Sequence, residues 1–270
     1  MDPRIGVVND LLKRASEKLG DRKICNMRVN VDDEGTSHTR LLEYTCAYNK
    51  ELVSKFPYIK NLTGPGHTCH SWPEANVTDF QMKIKEIISS SNTSPTIHKV
   101  GWFGNVYSAV ATMPEKVTRP LMKEIGDSNP DIFDIINTQV GNKTFVPIED
   151  MTKYSYLIDI GGQGYSGRLK YLMFTKRPLL YVERRFIEWF NDEMIPWMHY
   201  VPVASDLSDL VEKAQWLFDN PGKAREIAQS AFSFAMDHFT EDKLFERIQN
   251  VSYNYAQLSR FSRPNPSETS

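Results

Sequence analysis

The chain has 270 residues, enough for one large domain or two domains of ordinary size. Hydrophobic residues make up 40% of it and charged residues 24%, a composition typical of a soluble globular protein. The formal net charge of −2 argues against a protein that coats nucleic acid, because neutralising phosphates requires an excess of Lys and Arg. No apolar run approaches the roughly 18 residues of a membrane span. We therefore expect no nucleic acid partner and no membrane span.

The first twenty residues predict an amphipathic helix rather than a secretion signal. Apolar residues recur every three or four positions over residues 5–19, and charged residues stand between them. The three cysteines, Cys25, Cys46 and Cys69, are odd in number and lack the spacing of a disulfide framework. Both features favour a reducing, cytoplasmic location.

The first half of the chain alternates strands with helices. Residues 24–31 predict a buried strand that runs into an acidic turn, residues 80–88 a helix, and residues 99–103 a short strand. The stretch 91–95, with the sequence Ser-Asn-Thr-Ser-Pro, predicts a loop between the last two.

The second half shows the same rhythm more clearly. A predicted strand at 156–160 breaks at a glycine pair, and a helix is predicted to start near Ser166. Strands are predicted at 178–183 and 200–203. Asp206 is predicted to cap the next helix, which a turn separates from a further helix ending near residue 238.

This order of elements predicts the fold class α/β, with parallel sheets flanked by helices. We expect two Rossmann-like domains that face each other across a cleft. Residues 1–125 would form the first domain, residues 126–245 the second, and residues 246–270 a C-terminal helix with a frayed tail. Ligands on such sheets bind at the carboxyl ends of the strands.

The segment from Ile158 to Arg168 predicts a phosphate site. A strand, a glycine-rich turn and a helix start point free backbone N–H groups at an anion. Ser166 adds a hydroxyl, and the guanidinium of Arg168 can hold two diphosphate oxygens at once. The spacing is neither a Walker loop nor a G-x-G-x-x-G fingerprint, and a tight turn with a surface arginine would show the same pattern.

Residues 154–172 read Tyr-Ser-Tyr-Leu-Ile-Asp-Ile-Gly-Gly-Gln-Gly-Tyr-Ser-Gly-Arg-Leu-Lys-Tyr-Leu and resemble the signature of glycosyltransferase family 90. That family contains fungal capsule xylosyltransferases and animal protein O-glucosyltransferases. The likeness continues in Glu-Trp-Phe at 188–190 and in Pro-Trp-Met-His-Tyr-Val-Pro-Val at 196–203. It implies two Rossmann-like domains of GT-B type, with residues 1–125 on the acceptor side and residues 126–245 binding the nucleotide sugar. It also implies a UDP-sugar, UDP-xylose or UDP-glucose, whose diphosphate binds Ser166 and Arg168.

The resemblance also suggests further contacts to the nucleotide. Gly104 and Ser108 fall where the family has an Arg-Gly turn followed by Ser or Thr residues, although Phe103 replaces the arginine, and Arg119 follows at a compatible distance. Glu183 ends its predicted strand and would bond a ribose hydroxyl, or form a surface salt bridge with a neighbouring arginine. The expected nucleotide-sugar contacts are therefore Gly104, Ser108, Gly164, Tyr165, Ser166, Arg168 and Glu183.

The general base departs from the pattern that the resemblance implies. Inverting members place an aspartate four residues before a proline, and here Asn61 precedes Pro65. An amide accepts no proton near neutral pH, so Asn61 would only position a hydroxyl. His67 lies close by, and Asp33 follows a segment that resembles the first strand of the family. Both are candidates for the base, with Asp79 as a further one.

No cofactor is expected, and no metal. His67, Cys69 and His70 are too cramped for a zinc site and lack a second ligand pair. We expect an inverting transferase that moves xylose or glucose from a UDP-sugar to a hydroxyl of a glycan or glycoconjugate. The alternatives are a non-catalytic glycan- or nucleotide-binding protein on a transferase fold, and a retaining transferase.

Overall fold

The computed structural model describes residues 2–19, 27–30, 44–107, 118–138, 146–162 and 164–261. The α-helices are α1 Pro3–Leu19, α2 Lys50–Lys55, α3 Phe80–Ser91, α4 Thr118–Ser128, α5 Leu169–Leu172, α6 Leu210–Asp219, α7 Pro221–His238 and α8 Glu241–Phe261. The strands are β1 Val29–Asn30, β2 Tyr44–Thr45, β3 Tyr48–Asn49, β4 Ile97–Gly104, β5 Phe133–Asn137, β6 Tyr154–Asp159, β7 Leu179–Val182, β8 Phe186–Ile187 and β9 Val201–Val203. The protein is therefore mixed α/β, as predicted.

Five strands form one parallel sheet in the order β5-β4-β6-β7-β9. The first of them along the chain, β4, lies between the second and the third, so the winding of the sheet reverses there. In open α/β sheets, ligands bind in the crevice that this reversal opens at the carboxyl ends of the strands. The ends of β4 and β6, at Gly104 and Asp159, therefore mark the expected ligand site.

Helices cover both faces of this sheet, which explains why its inner strands are apolar on both sides. On one face, α3 and the second half of α7 pack near Leu157 and Leu179. On the other face, α4 and α6 pack near Ile158 and Leu180, the next residues of the same strands. Because successive strand residues point to opposite faces, this alternation fixes the register of the strands.

The chain between α2 and α3 is irregular and lies across from the carboxyl ends of β4 and β6. It runs through short 3-10 turns, which include His67–Cys69 and Pro73–Ala75. Among the described strands, β1 pairs only with β2, and β3 only with β8. Helix α1 contacts the first of these turns and packs against α8 through a small apolar cluster. The irregular segment is thus held from outside by the two terminal helices.

Most predicted elements are confirmed. The helices predicted at 5–19 and 80–88 and the strands predicted at 99–103, 156–160, 178–183 and 200–203 are present, with ends that differ by three residues or fewer. Strand β5 and helix α4 were not predicted. Only residues 27–30 of the strand predicted at 24–31 lie in the described part of the chain, where β1 occupies two residues.

One predicted helix start is confirmed to within three residues, and the other is wrong. Helix α5 begins at Leu169, where a start near Ser166 was predicted, and ends one turn later. Helix α6 begins at Leu210 rather than beside Asp206, because Asp206 Oδ1 accepts hydrogen bonds from the amide and hydroxyl of Ser208 in a tight turn. Leu207 has a φ of 61°, a left-handed conformation that cannot continue a right-handed helix.

The described residues contain one sheet of five parallel strands and two sheets of two strands each, and the arrangement of two Rossmann-like domains stays a prediction. Residue 125, the expected boundary between domains, lies inside α4, and the strands on either side of that helix, β4 and β5, are neighbours in the five-stranded sheet. The C-terminal segment expected to begin at residue 246 is continuous with α8, and residues 262–270 lie outside the described part.

Candidate functional site

A cleft of about 620 Å³ opens where the ends of β4 and β6 meet the irregular segment. One wall comes from the strand ends and the glycine-rich loop, and we call it the sheet wall. The other comes from residues 67–74, and we call it the turn wall. The lining residues are Arg4, His67, Thr68, Trp72, Glu74, Gly104, Asn105, Arg119, Thr138, Asp159, Ile160, Gly162, Tyr165, Ser166, Gly167 and Arg168.

The glycine-rich loop is anchored to the end of β6 by a buried carboxylate. Ser166 Oγ donates to Asp159 Oδ1 at 2.6 Å, and Arg184 Nη2 donates to Asp159 Oδ2 at 2.5 Å and to the Asp159 carbonyl at 3.1 Å. Because the Ser166 hydroxyl has one proton and directs it at Asp159, its first role in this arrangement is to hold the loop. The loop's shape is therefore set by this network.

Two arginines converge on the sheet wall. Arg168 Nη1 donates to the Phe103 carbonyl at 2.6 Å. Arg119 donates to the Gly161 carbonyl at 2.9 Å and to the Asn105 carbonyl at 3.0 Å. The centres of both guanidinium groups lie near the Trp102 ring, 5.4 Å away for Arg119 and 5.6 Å for Arg168. These hydrogen bonds go to main-chain carbonyls, and the charge of the Asp159 carboxylate acts to raise the pKa of both guanidiniums.

The pKa values of both guanidiniums are lower than that of an exposed arginine. Burial lowers the pKa of both, and the charge of Arg168 contributes to lowering that of Arg119 to about 10. Both groups remain charged at neutral pH, and each disfavours the other's charge. Two partly desolvated cations at a strand-end crevice form a site that an anion with two charged oxygen groups would stabilise.

The turn wall carries the groups that can accept a proton. His67 is 6% exposed, and within the described residues its Nδ1 atom has no hydrogen-bond partner. Burial, helped by the charges of Lys170 and Arg4, lowers the pKa of His67 to about 4, so the imidazole is neutral at pH 7. Glu74 also lines the cleft and is exposed.

The structure brings together five of the predicted site residues and separates others. Gly104, Tyr165, Ser166, Arg168 and His67 all line the cleft. The remaining predicted residues within the described part of the chain are Asn61, Asp79, Gly164 and Glu183.

Asn61 is exposed on the 3-10 turn Pro57–Leu62 and lies outside the cleft lining, where its carbonyl accepts a hydrogen bond from Asn254 at 3.4 Å. Asp79 accepts from the Met82 amide and caps α3. Neither side chain occupies the position of a base in the cleft. The predicted residues Asp33 and Ser108 lie outside the described part of the chain.

Glu183 is exposed, and its carboxylate lies 3.9 Å from Lys50 Nζ. The salt bridge predicted with a neighbouring arginine is wrong, because Arg184 bonds Asp159 and Arg185 bonds Glu51 at 2.7 Å. Glu183 and Gly164 border a small pocket of about 20 Å³ next to the main cleft.

The sequence reasoning did not identify one buried pair beside the cleft. Lys170 Nζ lies 2.9 Å from Glu188 Oε1, with both side chains almost inaccessible to solvent. The available signal was the run Leu169–Leu172, in which a lysine stands between apolar residues in a helix buried all round. An unbroken apolar environment favours a paired lysine over a solvated one.

Within the described ranges, no three side chains of His, Cys, Asp or Glu are grouped closely enough to hold a metal ion, and no helix is long and apolar enough to cross a membrane. Cys46 and Cys69 are buried free thiols. Cys25 lies outside the described part.

The profile of glycosyl transferase family 90 matches residues 5–270. The chain belongs to glycosyl transferase family 90. It is 37% identical over 109 residues to protein O-glucosyltransferase 2 of Danio rerio, and the aligned region covers 40% of this chain and 22% of that protein. It is 36% identical over 192 residues to the uncharacterized protein 179R of invertebrate iridescent virus 6, and the aligned region covers 68% of this chain and 15% of that protein. This family 90 chain thus spans less than a quarter of the length of these two relatives.

Human protein O-glucosyltransferase 3 is 28% identical over 138 residues, covering 51% of this family 90 chain and 27% of that protein. Among solved structures, Anabaena HepE in complex with UDP superimposes with a TM-score of 0.37 and 10% identity, covering 65% of this chain and 44% of that one.

Proposed function

We propose that this family 90 member transfers a sugar from a UDP-sugar to a hydroxyl group of a glycan or glycoconjugate. The observation that carries the proposal is the pair of half-buried arginines, Arg119 and Arg168, which line the cleft at the strand-end crevice beside the glycine-rich loop. Two guanidiniums and main-chain amides suit a diphosphate, which presents charged oxygens on two phosphorus atoms. Relatives named protein O-glucosyltransferases support glucose as the sugar, with xylose as the alternative.

The proposed reaction inverts the anomeric carbon. The acceptor oxygen forms a bond to that carbon from the face opposite the diphosphate, while the bond from the carbon to the diphosphate oxygen breaks. UDP leaves with the electron pair, and the proton of the acceptor hydroxyl passes to a base. Because negative charge grows on UDP as it leaves, Arg119 and Arg168 stabilise the transition state more than the bound substrate.

His67 is the base that we propose. It lies on the wall opposite the arginines, and its Nδ1 is a buried polar atom without a hydrogen-bond partner among the described residues. Buried polar atoms rarely lack a hydrogen-bond partner, and the hydroxyl of a bound acceptor could donate a hydrogen bond to Nδ1. The low pKa keeps the ring unprotonated at neutral pH, although it also makes the ring a weaker base.

We further propose that no metal is needed, since the arginines provide the charge that a divalent ion would otherwise supply to the diphosphate. Activity is then expected to survive EDTA at near its full rate. Loss of activity with EDTA and its return with manganese would contradict this part of the proposal.

The deciding experiment incubates the purified protein with UDP-glucose and, separately, UDP-xylose, with water as the acceptor. Slow release of free sugar is expected, because water can replace the acceptor in a working site. NMR of the first-formed sugar would show the β anomer if the reaction inverts the donor. An α anomer would establish a retaining transferase. UDP binding without any release of sugar from either donor would favour the non-catalytic alternative.

A further inference from the structure

An ion pair that solvent does not reach lies behind the cleft. Lys170 and Glu188 are 0% and 1% exposed, and their charged atoms are 2.9 Å apart. A buried pair of this kind contributes little net stability, because the desolvation of two charges offsets their attraction. A protein with two apolar residues of similar volume at these positions would be about as stable, so stability alone does not explain these charges.

The ammonium of Lys170 joins the two walls. Its Nζ donates to Thr68 Oγ1 at 2.8 Å and to the Gly167 carbonyl at 3.2 Å. Thr68 belongs to the turn wall and Gly167 to the glycine-rich loop, and both line the cleft, whereas Lys170 stands behind them. The neighbouring Tyr171 adds a second connection, because its hydroxyl donates to the Thr68 carbonyl at 2.6 Å.

The geometry points to a positioning role: we propose that Lys170, oriented by Glu188, sets the distance between the turn wall and the diphosphate loop. The inference rests on the proposed sugar transfer, in which the acceptor lies against one wall and UDP against the other. The Lys170 ammonium donates hydrogen bonds to Thr68 and Gly167, one on each wall, and forms an ion pair with Glu188. An error of about 1 Å in such an alignment costs on the order of 10²-fold in rate.

The charges around the pair support this assignment. Burial lowers the pKa of the Lys170 ammonium, but the charge of Glu188 outweighs burial, and that pKa lies above its ordinary value. Burial raises the pKa of Glu188 to about 7, against the opposing effect of Lys170. Lys170 therefore keeps its charge at neutral pH, and with it the ion pair to Glu188 and the hydrogen bonds to Thr68 and Gly167.

The test compares the wild-type protein with the double variant Lys170→Met/Glu188→Leu. Replacing both charges avoids an unpaired buried ion, so the melting temperature is expected to stay near that of the wild type. We expect kcat to fall about 10²-fold, whereas the affinity for UDP, measured by calorimetry, falls less than about tenfold, because UDP contacts the sheet wall and not the turn wall. Ile248→Ala is the control: Ile248 is buried between α8 and α1, and its truncation lowers stability without touching the cleft.

A folded double variant with wild-type kcat would overturn the inference and leave the pair a purely structural one. A second variant, Tyr171→Phe, removes only the other connection to Thr68, and it decides the matter if the double variant does not fold. Its kcat is expected to fall about fivefold, and an unchanged kcat would count against the proposal. A wild-type protein that neither binds UDP nor releases sugar would instead contradict the proposed function.

Discussion

The two walls of the cleft are held in different ways. The sheet wall follows directly from strands β4 and β6, and its loop is anchored within a short stretch of chain by Ser166 and Asp159. In the described part of the chain the turn wall has no large sheet behind it, and side chains about a hundred residues away in sequence hold it through Thr68. Binding of UDP should therefore depend on local sheet geometry, whereas alignment of the acceptor should depend on a few long-range contacts.

The largest expected effect concerns the base on the turn wall. His67→Ala should lower kcat roughly 10²–10⁴-fold, the usual contribution of a general base, at saturating UDP-sugar and with UDP affinity little changed. Steady-state kinetics on folded variants would measure it. Glu74→Gln is the matched control from the same wall, and Asp33→Ala tests the other candidate from the sequence. A greater loss in either than in His67→Ala would assign the base elsewhere.

Substitutions on the sheet wall should instead weaken the affinity for UDP. Arg168→Ala removes a charge-assisted contact to diphosphate, worth roughly 1.5–3 kcal/mol, and should weaken UDP binding by about one to two orders of magnitude. Arg119→Ala should act in the same direction. Calorimetry with UDP measures both, and His67→Ala serves as the comparison. Unchanged affinity in folded Arg168→Ala protein would remove Arg168 from the diphosphate site.

A third prediction concerns the pH dependence of stability that the buried His67 on the turn wall should cause. The pKa of His67 is lowered to about 4 in the folded state, below the roughly 6.5 of an exposed imidazole. Between these values the unfolded chain binds a proton that the folded protein does not, so this group's contribution to stability falls as pH drops. Through His67, the free energy of unfolding should be about 2 kcal/mol lower at pH 5 than at pH 7.

Urea unfolding of the wild type and of His67→Gln at pH 7 and pH 5 would measure this effect, since the variant lacks the titrating group. Glu188, whose raised pKa acts with the opposite sign, is common to both proteins, and its contribution cancels in the difference. Equal pH dependence in the two proteins would show that His67 is not buried as described.

The smallest effect is expected at Asn61. Its exposed position outside the cleft lining predicts that Asn61→Ala retains most of its activity, with both UDP affinity and kcat close to wild type. The same kinetic and calorimetric assays apply. A loss as large as that of His67→Ala would place Asn61 in the reaction, and would contradict the geometry of the turn Pro57–Leu62.

The sheet wall was predictable because its signals are local. The strand ending at Asp159, the glycine break and the pair Ser166 and Arg168 occupy a short stretch, in which main-chain geometry follows from residue type. Helix starts were less predictable, as at Asp206, because a side chain that accepts from nearby amides can form either a cap or an isolated turn.

The turn wall could not be predicted in the same way. Residues 67–75 form short 3-10 turns without a period in their sequence, so no pattern shows which side chains face the cleft. Counting from Pro65 suggested Asn61, whereas the fold turns His67 and Glu74 to the cleft and leaves Asn61 exposed.

The sequence by itself determined the α/β class, most of the strands of the parallel sheet and the position of the glycine-rich loop, because these depend on hydrophobic periodicity and on backbone preferences of neighbouring residues. Only the tertiary structure decided that Arg119 joins Arg168, that β4 and β5 share one sheet across residue 125, and that Lys170 is paired with Glu188 behind the cleft. These contacts join residues far apart in the chain, and the burial that changes their charges exists only once the chain has folded.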